Sequence, residues 1–111
     1  MFFTVETQSM VSRFYGIIKS NFSGFIVDSN YSTDSMRITI SDSKGSWLMG
    51  NHVYEIAFYR TNSGNLDHIK IFSRSDDELN NMFENLRISK NFLGMRISNV
   101  YNKEGHILVE P

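Results

Sequence analysis

The spacing of apolar residues changes after Gly24 from a period of about 3.6 residues to a period of about two. Before that glycine, the apolar side chains line one face of a helix: Met10, Val11, Phe14, Ile17 and Ile18. This pattern predicts an amphipathic helix over residues 8–21. Beyond Gly24 the alternation is typical of strands with one buried and one exposed face. The chain must therefore combine at least one helix with a largely antiparallel sheet.

Two further features of the first 21 residues support local predictions. Phe2, Phe3 and Val5 form a short apolar run that predicts a first strand, and Thr7 is placed to cap the following helix. Gly16 falls inside that helix, where glycine costs up to about 1 kcal/mol relative to alanine. Gly16 therefore either packs closely against a neighbouring element or is a weak point in the helix, and we expect close packing.

Short strands joined by turn residues follow. The strand predictions cover residues 25–28, 36–41, 47–49, 52–60 and 66–73, with hairpin turns at 42–45 and 62–65. In the second of these strands, Met36, Ile38 and Ile40 alternate with polar residues. The fourth strand has two distinct faces, one with Tyr54, Ile56 and Phe58, the other with Val53, Glu55, Ala57 and Tyr59. Each strand should bury one face and expose the other.

A second helix has the clearest start signal in the chain. Residues 75–78 read Ser-Asp-Asp-Glu, a capping box in which Ser75 and Glu78 satisfy each other's backbone N–H groups. Apolar residues with helical spacing follow: Leu79, Met82, Phe83 and Leu86. The helix should end near residues 87–90. A strand with Met95, Ile97 and Tyr101 on one face, a turn at 102–105 and a returning strand at 106–110 complete the chain.

This order of elements predicts the fold class. Strands joined by short turns must pair antiparallel, and each amphipathic helix must bury its apolar face. The prediction is an α+β two-layer sandwich, with one mainly antiparallel sheet of about five to seven strands and both helices on one face. The length of 111 residues favours one domain, 1–111.

Composition narrows the class of protein without naming a function. The chain is 41% apolar and 21% charged, has a net charge of -1 and contains no cysteine. These values exclude disordered, collagen-like, coiled-coil and disulfide-scaffold proteins. No apolar run approaches the roughly 20 residues of a membrane-spanning helix, and no basic segment precedes an apolar one at the start. We therefore expect a cytoplasmic protein without a membrane partner.

Enzymatic motifs are absent from the sequence. No stretch matches the glycine-rich phosphate loops or the serine elbow of hydrolases. The histidines lack the spacing of metal ligands, so we expect no metal and no cofactor. One alternative is an enzyme or a small-ligand pocket, in which a histidine beside a carboxylate acts as general base. The candidate histidines are His52, His68 and His106, and the candidate carboxylates are Asp67, Glu55 and Glu104.

Large side chains also occur in the strands out of phase with the predicted core: Trp47 or Leu48, Val53, Tyr59, Leu66, Phe72, Val100 and Leu108. Either the sheet curls and buries them, or they form an apolar patch that marks a partner surface. The second interpretation gives a protein-binding site at Trp47, Tyr59, Phe72 and Arg37, residue types common at binding hot spots. An edge strand is another contact, either for a partner or for a homodimer.

The sequence therefore predicts a small non-enzymatic protein-binding module, acting as an adaptor, inhibitor or regulator. Compact inhibitors encoded by phages or mobile elements fit these bounds. The alternative is an RNA- or DNA-binding sheet that uses Arg37, Tyr59, Arg60 and Lys70. The isoelectric point of about 6.3 argues against that alternative, because phosphate binding normally draws on surplus positive charge.

Overall fold

A six-stranded antiparallel sheet carries two helices on one face in a computed structural model that describes residues 2–32, 34–42 and 52–111. The elements are α1 (Val5–Asn21), β1 (Ile26–Tyr31), β2 (Ser35–Ser41), β3 (His52–Arg60), β4 (Leu66–Ser73), α2 (Asp76–Ser89), β5 (Asn91–Phe92), β6 (Met95–Arg96), β7 (Asn99–Lys103) and β8 (His106–Glu110). The sheet order is β1-β2-β3-β4-β8-β7, and β5 and β6 form a separate small hairpin. The predicted α+β sandwich is confirmed.

The core consists of aligned rows of branched and aromatic side chains on the helix side of the sheet. Strand pairing places Ile38, Ile56, Ile71 and Ile107 next to one another across four strands. A parallel row contains Met36, Phe58, Ile69 and Val109. All eight are buried, and each large apolar side chain of this kind contributes about 1.5 to 3 kcal/mol. The faces predicted for β2 and β3 are therefore confirmed.

Phe14 connects three parts of the core. It lies on the buried face of α1 and is fully inaccessible to solvent. Its ring stacks on Phe58 of β3 with 5.8 Å between centroids and meets Phe92 of β5 edge-on at 5.6 Å. Such aromatic pairs add about 0.5 to 1.5 kcal/mol to area burial. One side chain thus holds the helix, the sheet and the small hairpin together.

The start of α1 differs from the prediction. The helix begins at Val5, and its cap is Thr4, whose hydroxyl accepts a hydrogen bond from the Thr7 N–H at 3.2 Å. Thr7 is instead a buried helical residue whose hydroxyl bonds that of Thr4 at 2.8 Å. The predicted strand before the helix does not form. The Phe3 side chain packs into the core, the Thr4 N–H makes a single bond to the Gly64 carbonyl, and the Thr4 carbonyl accepts from Gln8 in the first turn of α1. A single backbone hydrogen bond does not make the repeated pairing that defines a strand.

Gly16 does not pack closely against a neighbour, so that prediction is wrong. It lies on the exposed side of α1, and a methyl group added there would have no atom within 4 Å. The apolar stripe of α1 is satisfied by Val11, Phe14 and Ile18 on the opposite side. Gly16 is therefore a weak point in the helix.

Helix α2 has half of the predicted capping box. Ser75 accepts from the Glu78 N–H at 3.3 Å, whereas the Ser75 N–H donates to Ser73 Oγ at 3.2 Å. The Glu78 carboxylate instead accepts from Ser73 Oγ at 3.4 Å and from the Tyr54 hydroxyl. Burial raises the pKa of Tyr54, and its bond to Glu78 raises it further. Glu78 thus fastens the helix start to β3. The helix ends within the predicted range, at Ser89.

The predicted strand with Met95, Ile97 and Tyr101 on one face does not form. Met95 belongs to the β5–β6 hairpin, and Ile97 follows it as a buried residue whose N–H donates to the Lys90 carbonyl at 3.0 Å. Tyr101 lies in β7 and is 40% exposed. The chain bends at Ile97 and Ser98, between β6 and β7, which breaks the alternation that a single strand would require. The predicted strand 47–49 lies wholly outside the described residues, and so does the predicted turn 42–45 apart from residue 42.

We expect the substitution Gly16→Ala to raise the free energy of unfolding by about 0.5 to 1 kcal/mol, because alanine restricts the unfolded chain and meets no neighbour in α1. Gly64→Ala is the contrasting variant. Gly64 has φ +90°, and an added Cβ would lie 2.6 Å from the Phe2 ring and 3.1 Å from the Thr4 nitrogen. It should destabilise the protein. Urea unfolding of both variants checks this, and a Gly16→Ala midpoint at or below that of the unsubstituted protein would contradict it.

Candidate functional site on the outer sheet face

The outer sheet face is the set of strand side chains that point away from both helices. Because directly paired residues share a face, the register defines its members. The larger ones are Asp28, Asn30, Arg37, Glu55, Tyr59, His68, Lys70, Phe72, Tyr101, Lys103, His106, Leu108 and Glu110. In the described part of the chain both helices pack on the other face. The larger side chains of the outer sheet face are half-buried or exposed, whereas its small residues Ser35, Thr39, Ser41 and Ala57 are buried.

Its centre is a connected group that we call the Tyr59 cluster: Arg37, Glu55, Tyr59, His68 and Lys70. The Tyr59 ring stacks on the His68 ring with centroids 4.6 Å apart and planes 8° apart. The Lys70 ammonium lies 5.1 Å from the centroid of the Tyr59 ring, within cation–π range. The His68 ring and the Lys70 ammonium together hold the Tyr59 ring in one orientation.

Arg37 is the electrostatic hub of the Tyr59 cluster. Its guanidinium donates to the Glu55 carboxylate at 2.8 Å, to the Tyr59 hydroxyl at 3.4 Å and to Ser35 Oγ at 3.1 Å. The ion pair is about one-quarter exposed on each side. Glu55 thus neutralises the arginine charge, and three bonds fix the direction of its planar fork.

A second group lies further along the same face. Phe72 and His106 pack at 5.3 Å with an angle of 36° between rings, and the Lys103 ammonium lies 5.3 Å from the Tyr101 centroid. Partial burial lowers the pKa of His106 below its ordinary value of 6.5, and the Lys70 and Lys103 ammonium groups lower it further against an opposing backbone bond. The Tyr101 hydroxyl donates to Glu110, and this bond raises the pKa of the tyrosine.

Charges on the outer sheet face balance. The register places three acidic residues there, Asp28, Glu55 and Glu110, and three basic ones, Arg37, Lys70 and Lys103. The two signs alternate across neighbouring strands instead of separating into patches. The face therefore combines aromatic rings with a mixed, nearly neutral charge pattern.

The structure brings some sequence-predicted site residues together and separates others. Arg37, Tyr59 and Lys70 are direct neighbours in the Tyr59 cluster, and Phe72 lies on the same face in the second group. Arg60 lies beyond a register irregularity at the end of β3, where its guanidinium donates to the Thr61 carbonyl at 3.1 Å. Trp47 lies outside the described residues.

Sequence reasoning missed the histidines as members of this face. His68 and His106 have the same strand phase as Lys70 and Leu108, so extending the alternation into β4 and β8 would have placed them correctly. Their packing on Tyr59 and Phe72 depends on which strands are neighbours. That order follows from the tertiary fold.

Three residues of the predicted apolar surplus do not contribute to an exposed patch. Val53 points outward but is only 8% exposed. The small side chains of Thr39, Ser41 and Ala57 on the same face are buried too. Leu66 and Val100 pack against the core on the helix side. For Val100 the reason is its pairing with buried Val109. The apolar part of the outer sheet face is therefore smaller and more aromatic than predicted.

One predicted histidine–carboxylate pair forms. His68 Nδ1 lies 2.6 Å from the Asp67 carboxylate. The two residues are adjacent in sequence, Asp67 is 53% exposed, and the opposite contact of His68 is the Tyr59 ring. The pair thus orients the imidazole for stacking. The side chain of His52 lies outside the described part.

Comparison with protein-family models, with curated proteins and with solved structures gives no match for this chain. Among the described residues, no three His, Asp or Glu side chains converge in a group that could bind a metal ion. Neither α1 nor α2 has the length and apolar character needed to cross a membrane.

We expect Lys70→Gln to raise the pKa of His106 toward 6.5, because it removes a nearby positive charge. A depressed pKa in the folded state means that the unfolded chain binds the proton more readily. Stability from this group is therefore lost as the pH falls from 6.5 toward the folded pKa, and Lys70→Gln should reduce that loss. An NMR titration of the His106 ring measures the change. Lys19→Gln on α1 is the charge-matched control and should leave the His106 pKa unaltered; equal shifts in both variants would contradict the assignment.

Proposed function

We propose that this chain is a small non-enzymatic protein-binding module of the cytoplasm. It acts as an adaptor, inhibitor or regulator and docks on a partner protein through the outer sheet face. The contact centres on the Tyr59 cluster and extends to Phe72 and His106. The partner surface that fits is one of mixed charge with apolar or aromatic groups, because the face itself carries equal numbers of acidic and basic strand residues.

The observation that carries this proposal is the fixed orientation of Tyr59 on a face that no described helix covers. Its hydroxyl accepts from Arg37, and its ring contacts His68 and Lys70. Tyrosine and arginine are enriched at binding hot spots. Side chains already held in one rotamer lose less entropy when a partner binds. The cluster is thus preorganised for contact.

Nucleic acid is the less favoured ligand for the same face. Sheets that bind single strands leave aromatic rings free for bases to stack on and surround them with surplus cations. Here His68 and Lys70 already contact the Tyr59 ring, and Glu55 neutralises Arg37. A base would have to displace these groups.

Affinity capture from host lysate tests the proposal, with the immobilised chain compared with its Tyr59→Ser variant. We expect Tyr59→Ser to lose a specific protein band while the melting temperature stays within a few degrees of the unsubstituted protein. Ile88→Ser on α2 is the matched control, because Ile88 is 73% exposed on the helix layer. It should retain the band.

Two further arms keep this experiment decisive. If Tyr59→Ser unfolds, Lys70→Glu reverses a charge on the same surface without removing the ring and should also lose the partner. A nuclease-treated arm separates protein from nucleic acid, since a band held through RNA or DNA disappears on digestion. Retention of the band by both outer-face variants, or its loss on digestion, would rule out the proposed docking mode.

A further inference from the structure

The free edge of the sheet at β1 exposes a defined set of backbone groups. The Ser32 N–H donates to the Ser35 carbonyl at 2.9 Å, which makes this a hydrogen-bonded pair at the β1–β2 turn. Bonded and non-bonded pairs alternate in an antiparallel ladder. Asp28 and Asn30 therefore bond to β2, whereas Val27, Ser29 and Tyr31 direct their N–H and C=O groups away from the sheet.

α1 satisfies one of these outward groups. The Tyr15 hydroxyl donates to the Val27 carbonyl at 3.0 Å, which agrees with the outward direction derived from the ladder. Within the described part of the chain, the outward groups of Ser29 and Tyr31 have no hydrogen-bond partner. Both residues are exposed, Tyr31 to 70%. A cleft of about 160 Å³ between this edge and α1 leaves room for an incoming side chain.

The opposite edge of the sheet, at β7, lies beside α2. On β7, Asn102 donates to Asn80 of α2 at 3.2 Å, and Lys103 ends the strand. Natural sheets commonly protect their edges by such cover and by lysine. β1 contains neither proline nor lysine. The β1 edge is therefore the one prepared for pairing with another strand.

We propose that β1 pairs antiparallel with β1 of a second copy of this chain, around a two-fold axis at Ser29. An axis at Ser29 pairs the outward groups of Val27, Ser29 and Tyr31 with those of the second copy, whereas an axis at Asp28 would set the two Asp28 carboxylates opposite each other. The two six-stranded sheets then form one continuous sheet. The inference concerns the backbone edge of β1 instead of the Tyr59 cluster, and it does not rest on the proposed docking.

The strand is complementary to itself in this register. Val27 faces Tyr31 of the second copy, an aromatic–β-branched pair of the kind that stabilises neighbouring strands. Asp28 faces Asn30 of the second copy, so each carboxylate meets an amide donor instead of another carboxylate. Both pairs occur twice by symmetry. The exposed Tyr31 ring thereby gains a partner beside Tyr15, and the Val27 carbonyl has a second lone pair for the Tyr31 N–H.

Sedimentation equilibrium from about 5 to about 500 μM tests the pairing, since a reversible dimer raises the mean mass with concentration. We expect the mass to rise from 12.9 kDa toward twice that value. Asn30→Asp is the decisive variant. It sets a carboxylate against Asp28 of the second copy at both symmetry-related positions and should weaken dimerisation by roughly tenfold. Within its own chain the new carboxylate faces Arg37, so folding should be preserved.

The double variant Asp28→Asn with Asn30→Asp exchanges the two partners and should restore the dimer, which a merely structural defect would not allow. Asn85→Asp, an exposed α2 substitution with the same charge change, is the control and should dimerise normally. A monomer at all concentrations would overturn the inference and leave the edge to a foreign strand. A dimer insensitive to Asn30→Asp would overturn it too, because the contact would lie elsewhere. Partner capture through Tyr59 is unaffected by either result.

Discussion

The structure depends on the burial of one isoleucine ladder under two helices. Ile38, Ile56, Ile71 and Ile107 lie side by side in four strands, and Phe14 of α1 closes over the neighbouring row. A shift of any strand by one residue would turn these side chains to solvent. The hydrophobic effect therefore sets the register of the central sheet. Every residue between two core positions is directed outward as a consequence.

The chemistry of the outer sheet face follows from that register. Arg37, Glu55 and Tyr59 come together because they alternate with core residues in paired strands, and His68 joins them from β4. Charges of opposite sign face one another across strands, so the face carries little net field. The proposed protein docking relies on shape, aromatic contact and local charge pairing instead of bulk attraction.

The face and the β1 edge are compatible as separate contact surfaces. The proposed edge pairing would use the backbone groups of Val27, Ser29 and Tyr31, whereas the proposed docking on the outer sheet face would use side chains of the central strands. A dimer formed through β1 would keep both Tyr59 clusters accessible on the same side of one continuous sheet. Two linked sites of this kind would engage a divalent or repeated partner more strongly than one site alone.

The amino-acid sequence by itself determined the class of fold and much of its local detail. Alternation and turn residues predicted β3 and β4 with their observed bounds, and Ser75 predicted the start of α2. These predictions were correct because a strand face and a helix cap depend on neighbours within a few residues along the chain. The role of Gly16 could not be predicted in the same way, since its environment depends on which side of α1 the sheet covers.

Only the tertiary structure decided which distant residues meet. The sheet order brings His106 of β8 beside Phe72 and Lys70 of β4, although α2, the β5–β6 hairpin and β7 separate them along the chain. It also selected Thr4 over Thr7 as the cap, because burial of Phe3 positions the entry to α1. Periodicity specifies the face on which a side chain lies. Its neighbours on that face follow from the order in which strands assemble, and many strand orders satisfy the same alternation.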